Sequence, residues 1–306
     1  MIIKNNTSSD FSITLGMFVE TEQKNEDSIF KTVVVETELQ KEEVIIPAEK
    51  KVKISNPELI AYIDCMESPV EYLDLKKCKN LRYLDCSETE VTELDLSKCK
   101  HLESLDFFGT DITDIDISNC NNLFNIDCAF TELISLDISN CKRLNSLHCA
   151  YSEIDYLDFS SCMKLNYLNC SNTALDDLDL SKCKNLKDLD CSYSDIETLD
   201  LTNCVELVSL DCTCSEIDEL DVTTCDKLKE LFCNDILISS LDLSSCNDLE
   251  ELYISDCEEL NSLDLYNCSK LKNLDCSGLK VRKIDVSNCD EDIHVHHDND
   301  IIIVKK

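Results

Sequence analysis

Cysteine is the residue whose number and spacing first suggest chemistry in this chain of 306 residues. It occurs 22 times, and 20 of these positions fall into two repeated classes, represented by Cys86 and Cys99. No Cys-x-x-Cys pair occurs, so the signature of a zinc ribbon or a thioredoxin-type redox centre is missing. We therefore expect reduced thiols that pack as small apolar side chains, with the Cys99 class also offering a weak S–H to loop carbonyls.

Aspartate recurs in the phrase Leu-Asp-Leu and its variants. Carboxylates stacked about 5 Å apart would repel by roughly 0.8 kcal/mol in water, so another interaction must offset the repulsion. Hydrogen bonds to turn amides, nearby lysines, partial protonation or bound Ca²⁺ could do so. Because the aspartate recurs in every repeat, we expect it to have a structural role in the turn. We therefore expect no cofactor, with bound Ca²⁺ as the alternative. These aspartates are Asp74, Asp95, Asp116, Asp137, Asp158, Asp179, Asp200, Asp221, Asp242, Asp264 and Asp285.

Catalytic motifs are missing from the sequence: it contains no P-loop, GxGxxG, GxSxG or HExxH. Three of the five histidines, His294, His296 and His297, lie together near the end of the chain. His294 and His296 would share one face of a strand, so the three are weak candidates for metal ligands. A solvated capping hairpin explains them better, and we predict that the protein is not an enzyme and binds no metal there.

One phrase recurs every 21 residues, as in LNYLNCSNTALDDLDLSKCKN (165–185) and LKDLDCSYSDIETLDLTNCVE (186–206). Its first half resembles the core of a leucine-rich repeat, with Cys for one Leu and Thr or Ser for Asn. Its second half is a shorter echo of the first. The resemblance is to short-repeat bacterial leucine-rich-repeat proteins. It implies a mainly β, right-handed solenoid of about eleven coils with a parallel sheet on the concave face. Members of this family mostly bind proteins or act at cell surfaces.

Alternation within the phrase predicts a similar architecture. In the first half, Leu84 and Cys86 should point into the coil while Asp85 points out. In the second half, Leu94 and Leu96 should also point inward. A single coil cannot bury these side chains alone, so neighbouring coils must stack. A helix usually needs a repeat longer than 21 residues, so we expect short strands or 3₁₀ turns on the convex side.

The ends of the chain do not follow the repeat. Residues 1–60 are expected to form a β-rich N-terminal cap with strands near 11–20, 29–39 and 44–55 and a turn at 21–28. The solenoid should occupy 61–289, and 290–306 should form a final strand and a closing hairpin. Residues 252–263 are one residue longer than the equivalent stretch elsewhere and contain an extra cysteine, Cys257, so we expect a local bulge or a change of curvature there.

Composition limits the partners and the compartment. With 63 acidic and 28 basic residues, the formal net charge is −35, which disfavours nucleic acid and suits basic, neutral or cationic partners. The first twenty residues lack the features of a signal peptide, and no apolar run is long enough for membrane insertion. Together with the many unpaired thiols, these two features predict a cytoplasmic monomer, with a secreted or surface location as the alternative.

The outward aspartate of the first half-phrase is replaced in four coils, by His148, Asn169, Phe232 and Tyr253. Exposed aromatic residues on a concave sheet are typical binding anchors, although repeat drift would also explain the changes. We expect a non-catalytic protein-interaction scaffold; a surface or secreted adhesin or host-interaction factor and a cation-binding acidic solenoid are the alternatives. The candidate binding residues on the concave face are Phe130, His148, Tyr151, Tyr167, Asn169, Tyr193, Phe232 and Tyr253.

Overall fold

A computed structural model describes residues 2–4, 11–23, 34–46, 51–53 and 56–305 of the chain. Contacts divide it into two compact units, Met1–Glu132 and Leu133–Lys306. Within the described residues the regular structure is strand, apart from one 3₁₀ turn at Pro57–Leu59. The prediction of a mainly β solenoid is therefore confirmed, and each unit is considered separately below.

Unit 1 combines antiparallel strands with the first repeats. Its strands are β1 (Ile2–Lys4), β2 (Phe11–Gln23), β3 (Val34–Ile46), β4 (Lys51–Lys53), β5 (Ile60–Asp64), β6 (Tyr83–Asp85), β7 (Ser104–Asp106) and β8 (Asn125–Asp127). Strands β2 and β3 pair antiparallel along their whole length, and β1 pairs antiparallel with β4. Strand β2 also pairs antiparallel with β5, which begins the in-register parallel ladder β5–β6–β7–β8. An antiparallel strand thus covers the exposed edge of the first repeat, which would otherwise be open to pairing.

The strands expected before residue 60 are only partly correct. The expected strand at 11–20 lies within β2, and that at 29–39 overlaps β3, with 29–33 outside the described residues. The expected strand at 44–55 is wrong, because 44–46 end β3 and only 51–53 form a separate strand. The expected turn at 21–28 is wrong at its start, since β2 continues to Gln23; residues 24–28 lie outside the described residues.

Unit 2 consists of stacked repeats. Its strands are β9 (Ser146–His148), β10 (Tyr167–Asn169), β11 (Asp188–Asp190), β12 (Ser209–Asp211), β13 (Glu230–Phe232), β14 (Glu251–Tyr253), β15 (Asn273–Asp275), β16 (Lys283–Asp285), β17 (His294–His296) and β18 (Ile302–Val304). Strands β9 to β15 form a parallel ladder in which equivalent residues stand opposite each other, and β17 continues it beside β15. Equivalent side chains therefore form straight rows across the strands.

One expectation about unit 2 is wrong. The predicted closing hairpin does not form, because β18 pairs in parallel with β16 rather than folding back on β17. At 252–263, where a local bulge or a change of curvature was expected, the sheet itself is unaltered, since β14 keeps its register with both neighbours. The extra residue lies in the turns that follow the strand, where Cys257 is buried and its thiol donates to the carbonyl of Cys233 at 3.0 Å.

The interior of each coil follows the predicted alternation. Leu84 and Cys86 are buried from the first half of the phrase, and Leu94 and Leu96 are buried from the second. The second half nevertheless consists of turns and irregular backbone with isolated bridges, such as Thr198 with Glu219, so the strands or 3₁₀ turns expected there are mostly absent from the described repeats. Strand β16 is the exception. A short repeat can close its coil with turns alone because the stacked leucines supply the core.

None of the 22 cysteines, all of which lie in 56–305, forms a disulfide, and only Cys214 is not fully buried. The thiol of Cys86 donates to the carbonyl of Asp106 at 3.5 Å, and that of Cys99 to the carbonyl of Cys78 at 3.8 Å. Burial raises the pKa of the Cys78 thiol to about 11 and that of Cys99 to about 12. The prediction that cysteine serves as a small core residue is confirmed.

Candidate functional site

Two surfaces of unit 2 carry the candidate residues. In each of β9–β15 the central leucine is buried and the residues on either side of it face outward, and in β17 the central residue is the half-buried Val295. We call the outward side chains of β9–β15 and β17 the strand face. The chain then turns through a residue with a left-handed backbone before it leaves the sheet. We call this row the turn edge; it comprises Tyr151, Asn172, Tyr193, Cys214, Asp235, Asp256 and Gly278.

The structure divides the eight candidate binding residues among different places. His148, Tyr167, Asn169, Phe232 and Tyr253 lie on the strand face, as expected. Tyr151 and Tyr193 lie instead on the turn edge, one turn beyond the strands. Phe130 holds the equivalent turn position in unit 1, where its ring meets that of Phe108 edge-on at 5.3 Å. The prediction that Tyr151, Tyr193 and Phe130 lie on the sheet was wrong. Each of them comes three residues after the strand position that the first-half aspartate occupies in the repeat.

Tyr151 and Tyr193 are exposed although their backbone is left-handed. Their φ angles are 55° and 53°, and their exposed fractions are 50% and 56%. A left-handed backbone favours Gly or Asn, and other side chains adopt it at a cost of about 1 to 3 kcal/mol. Asn172, between them on the turn edge, is the kind of residue that the geometry favours. Both tyrosine side chains remain about half exposed, and the Tyr193 hydroxyl is hydrogen-bonded to Cys214 on the same turn edge.

The strand face holds two aromatic contacts. The rings of Phe232 and Tyr253 stack with centroids 4.9 Å apart and planes inclined by 15°. The rings of His148 and Tyr167 meet edge-on at 6.5 Å. Asn169 has a different role, because its Oδ1 accepts the backbone N–H of Ser171 at 3.0 Å, as an aspartate would. Of the residues that replace aspartate, Asn169 therefore preserves the turn.

The recurrent aspartates cap turns in both halves of the repeat. Each second-half aspartate accepts the backbone N–H of the residue two positions later, at 2.8 to 3.3 Å. These hydrogen bonds lower the pKa of Asp95 and Asp137, among others. The turn-amide explanation is confirmed. The first-half aspartates do the same, for example Asp85 to Ser87 at 3.0 Å and Asp190 to Ser192 at 3.1 Å, which the sequence analysis missed.

Phe232 and Tyr253 stand where other coils have a capping aspartate, and Asn234 takes over the capping role of one of them. Tyr253 cannot accept the backbone N–H of Ser255 as aspartate would. The Oδ1 of Asn234, one coil earlier, accepts that N–H at 2.9 Å and the Ser255 hydroxyl at the same distance. Asn234 also donates to the hydroxyl of Thr213 at 3.3 Å. The stacked pair is therefore accommodated without leaving that turn amide uncapped.

Carboxylates surround the aromatic pair. Asp211 stands beside Phe232 in the same row, and Asp275 stands beside Tyr253. Glu230 and Glu251 stand opposite each other in the adjacent row. Burial raises the pKa of Asp211, with a smaller contribution from Asp190. The hydrogen bonds that Asp211 accepts from Thr213 oppose this rise but do not cancel it.

The terminal histidines are separated by their contacts. His294 and His296 lie exposed on β17, as expected for residues sharing a strand face. The Nδ1 of His296 lies 3.1 Å from Asp275 Oδ1, and that of His297 lies 2.7 Å from the carbonyl of Asp298. Among residues 2–4, 11–23, 34–46, 51–53 and 56–305, no group of three or more histidine, cysteine or acidic side chains is arranged to hold a metal ion.

Solved structures place the fold among known proteins. The functional domain of InlJ from Listeria monocytogenes, which includes a cysteine ladder, superposes with a TM-score of 0.68 at 23% identity over 84% of this chain and 66% of that one. YopM from Yersinia enterocolitica gives 0.59 at 23% identity, over 72% of this chain and 47% of YopM. The plant peptide hormone receptor RGFR1, solved in complex with RGF2, gives 0.60 at 20% identity, over 72% and 44%.

These likenesses define the class by fold: the chain is a leucine-rich-repeat solenoid, as its repeat phrase predicts. Two of the three structures are bacterial, in line with the resemblance of the repeat to bacterial sequences. The chain spans just under two thirds of the InlJ domain and less than half of the other two. No protein-family model matches the sequence, and no curated protein matches it either.

The part of the chain that the structure describes contains no helix long and apolar enough to cross a bilayer.

Proposed function

We propose that the chain is a non-catalytic protein-interaction scaffold that contacts a protein partner through the turn edge and strand face of unit 2. The observation that carries this proposal is the exposure of Tyr151 and Tyr193 on left-handed backbone. Tyrosine at these positions costs free energy that Asn or Gly would not, and about half of each side chain stays exposed. A partner that covers the rings would offset it, since tyrosine is enriched among the residues that dominate binding energy at interfaces.

The chemistry of the chain supports binding rather than catalysis. Cysteine is the most reactive of its potential nucleophiles when ionised, and burial raises the pKa of these thiols, as in Cys162, to about 11. A buried, protonated thiol is a poor nucleophile.

The second-half aspartates accept hydrogen bonds from turn amides, which accounts for their recurrence without a bound ion. We therefore propose that the fold needs no cofactor, and titration calorimetry with Ca²⁺ should give no binding heat; submillimolar binding would contradict this.

The lack of disulfides also bears on the compartment. Twenty-two cysteines without a disulfide suit a reducing environment, so we propose that the chain acts as a monomer in such a compartment. A secreted or surface location would expose the same thiols to oxidation, most directly at Cys214. Mass spectrometry of protein isolated from its source with free thiols blocked at lysis would test this, and a disulfide or higher oxidation state at most cysteines would contradict it.

Affinity capture with matched variants tests the interaction. Tyr151→Asn together with Tyr193→Asn removes both rings and installs the residue that the left-handed backbone favours, so the fold should be kept. Tyr156→Asn is the control, because Tyr156 is 70% exposed and does not have a left-handed backbone. The wild type and the control should retain the same proteins from an extract of the source organism, and the double variant should lose at least one. Identical sets from all three would overturn the proposal.

A further inference from the structure

The strand face of unit 2 suggests the chemistry of the partner, and this step rests on the proposed function above. Phe232 and Tyr253 form a stacked pair with Asp211 and Asp275 at its two ends. Glu230 and Glu251 run beside the pair in the adjacent row. We call these six residues the aromatic–acidic strip. Its rings offer an apolar, electron-rich surface, and its carboxylates enclose that surface on several sides.

The charge of the strip is not neutralised by the lysines nearest to it in the repeat. Lys229 and Lys272 both turn to Glu250, with Nζ–Oε distances of 3.9 and 2.6 Å. Glu230 accepts the hydroxyl of Ser209 at 3.0 Å, and Glu251 accepts the amide of Asn273 at 3.3 Å. Among the described residues, neither of these two glutamates nor Asp211 forms an ion pair.

The negative field reaches the aromatic pair itself. Burial raises the pKa of the Tyr253 hydroxyl, and the charges of Glu251 and Asp275 raise it further. Burial likewise raises the pKa of Asp188, two strands from Glu230, and the charge of Glu230 adds to the effect. A cation placed against the outer face of either ring, next to Asp211 or Asp275, would therefore be attracted both by the carboxylates and by that ring face.

We propose that the strand face from β11 to β15 binds an extended basic segment of the partner protein, with an arginine or lysine side chain lying against the outer face of Phe232 or Tyr253. Five strands span four spacings, or about 19 Å, which is the length of about six extended residues. Arginine suits the site better than lysine, because its planar guanidinium can stack on a ring and donate to two carboxylates at once.

Calorimetry with defined peptides tests this. The probe is a blocked ten-residue peptide of alternating serine and arginine, compared with its lysine and glutamate counterparts. The wild type should bind the arginine peptide most tightly and the glutamate peptide not at all. Glu230→Gln with Glu251→Gln should weaken binding of the arginine peptide about tenfold. Glu153→Gln with Glu197→Gln removes the same charge from exposed positions elsewhere in unit 2 and should weaken it less than about twofold.

A second variant separates the site from general attraction to an acidic protein. Phe232→Asp with Tyr253→Asp restores the residue that the repeat uses at these positions, so the fold should be kept while the net charge becomes more negative. Binding of the arginine peptide should nevertheless fall about tenfold. Equal or tighter binding by this variant, equal weakening by both glutamine pairs, or a preference for the glutamate peptide would overturn the inference. If the peptides fail but Tyr151→Asn with Tyr193→Asn still loses a captured partner, the interaction function stands and only this inference falls.

Discussion

Asn234 and Ser255, one coil apart, are joined by two hydrogen bonds of 2.9 Å, from the Ser255 backbone N–H and from its hydroxyl to Asn234 Oδ1. In most other coils an aspartate or asparagine two residues before the turn amide provides this acceptor. Here the position is occupied by Tyr253, and a side chain from the preceding coil provides it instead. The aromatic pair and Asn234 therefore form one structural unit.

A double-mutant cycle should detect this coupling. Asn234→Ala leaves the Ser255 amide without its acceptor and should lower the free energy of unfolding by about 1 kcal/mol. In a Tyr253→Asp background the new carboxylate can accept the same amide, so the loss should shrink by about half or more. Urea denaturation of the four proteins measures this, and strictly additive effects would show that the two residues are independent.

Turn capping by the second-half aspartates predicts a difference between two substitutions of Asp137. Asp137→Ala removes the acceptor of the Ser139 N–H, which lies at 3.0 Å, and should destabilise the protein by about 1 kcal/mol. Asp137→Asn keeps an acceptor oxygen and should be nearly neutral. Equal destabilisation by both substitutions, measured by urea denaturation, would mean that the charge matters rather than the hydrogen bond.

Asp211 gives a pH-dependent prediction. Its pKa in the folded protein is raised, chiefly by burial, so the native state holds the proton more tightly than the unfolded chain does. Ionisation of Asp211 therefore costs stability; this cost is absent below the unfolded pKa of about 3.9 and is complete above the folded pKa. Asp211→Asn should raise the thermal midpoint at pH 7 and leave it nearly unchanged at pH 3. No gain at pH 7, or a larger gain at pH 3, would contradict this.

The same substitution should have an opposite effect on binding. Asp211 belongs to the aromatic–acidic strip, so Asp211→Asn should weaken binding of the arginine peptide while it stabilises the fold. Such a trade between stability and binding is expected where a surface retains charge for a partner.

Thiol accessibility provides a further prediction. Cys214 is the one cysteine that is not fully buried, so a thiol reagent should modify one group per chain under native conditions and 22 after denaturation. Cys214→Ser should abolish the native reaction and leave 21 groups in the denatured chain. Rapid native modification of several thiols would contradict the buried cysteine rows.

Much of the fold could be predicted from the sequence because the repeat states it many times. The alternation in the phrase around Leu84 and Cys86 gives the strand, its inward face and the stacking together. The ends were harder to predict, because residues 1–60 and 290–306 occur once and their pairing depends on distant strands. The tail alternates like a hairpin, yet β18 joins β16 in parallel, which a local pattern does not encode.

The candidate site was predictable in part. Replacement of the repeated aspartate at Phe232 and Tyr253 pointed to a real stacked pair. The left-handed backbone of Tyr151 and Tyr193 was not apparent, because only Gly109 and Gly278 mark that turn position with glycine. The role of Asn234 was missed because its partner is one coil away, although the Asn at that position appears in the coil that has lost its aspartate.

Photo-crosslinking through Cys214 tests the central claim most directly. Cys214 lies next to Tyr193 on the turn edge, so a benzophenone maleimide attached to this thiol should reach a protein bound there. After irradiation in an extract of the source organism, the wild type and Tyr156→Asn should give the same discrete crosslinked product, and Tyr151→Asn with Tyr193→Asn should give little or none. Identical products from all three proteins, or no discrete product from the wild type, would contradict a partner-binding role for this surface.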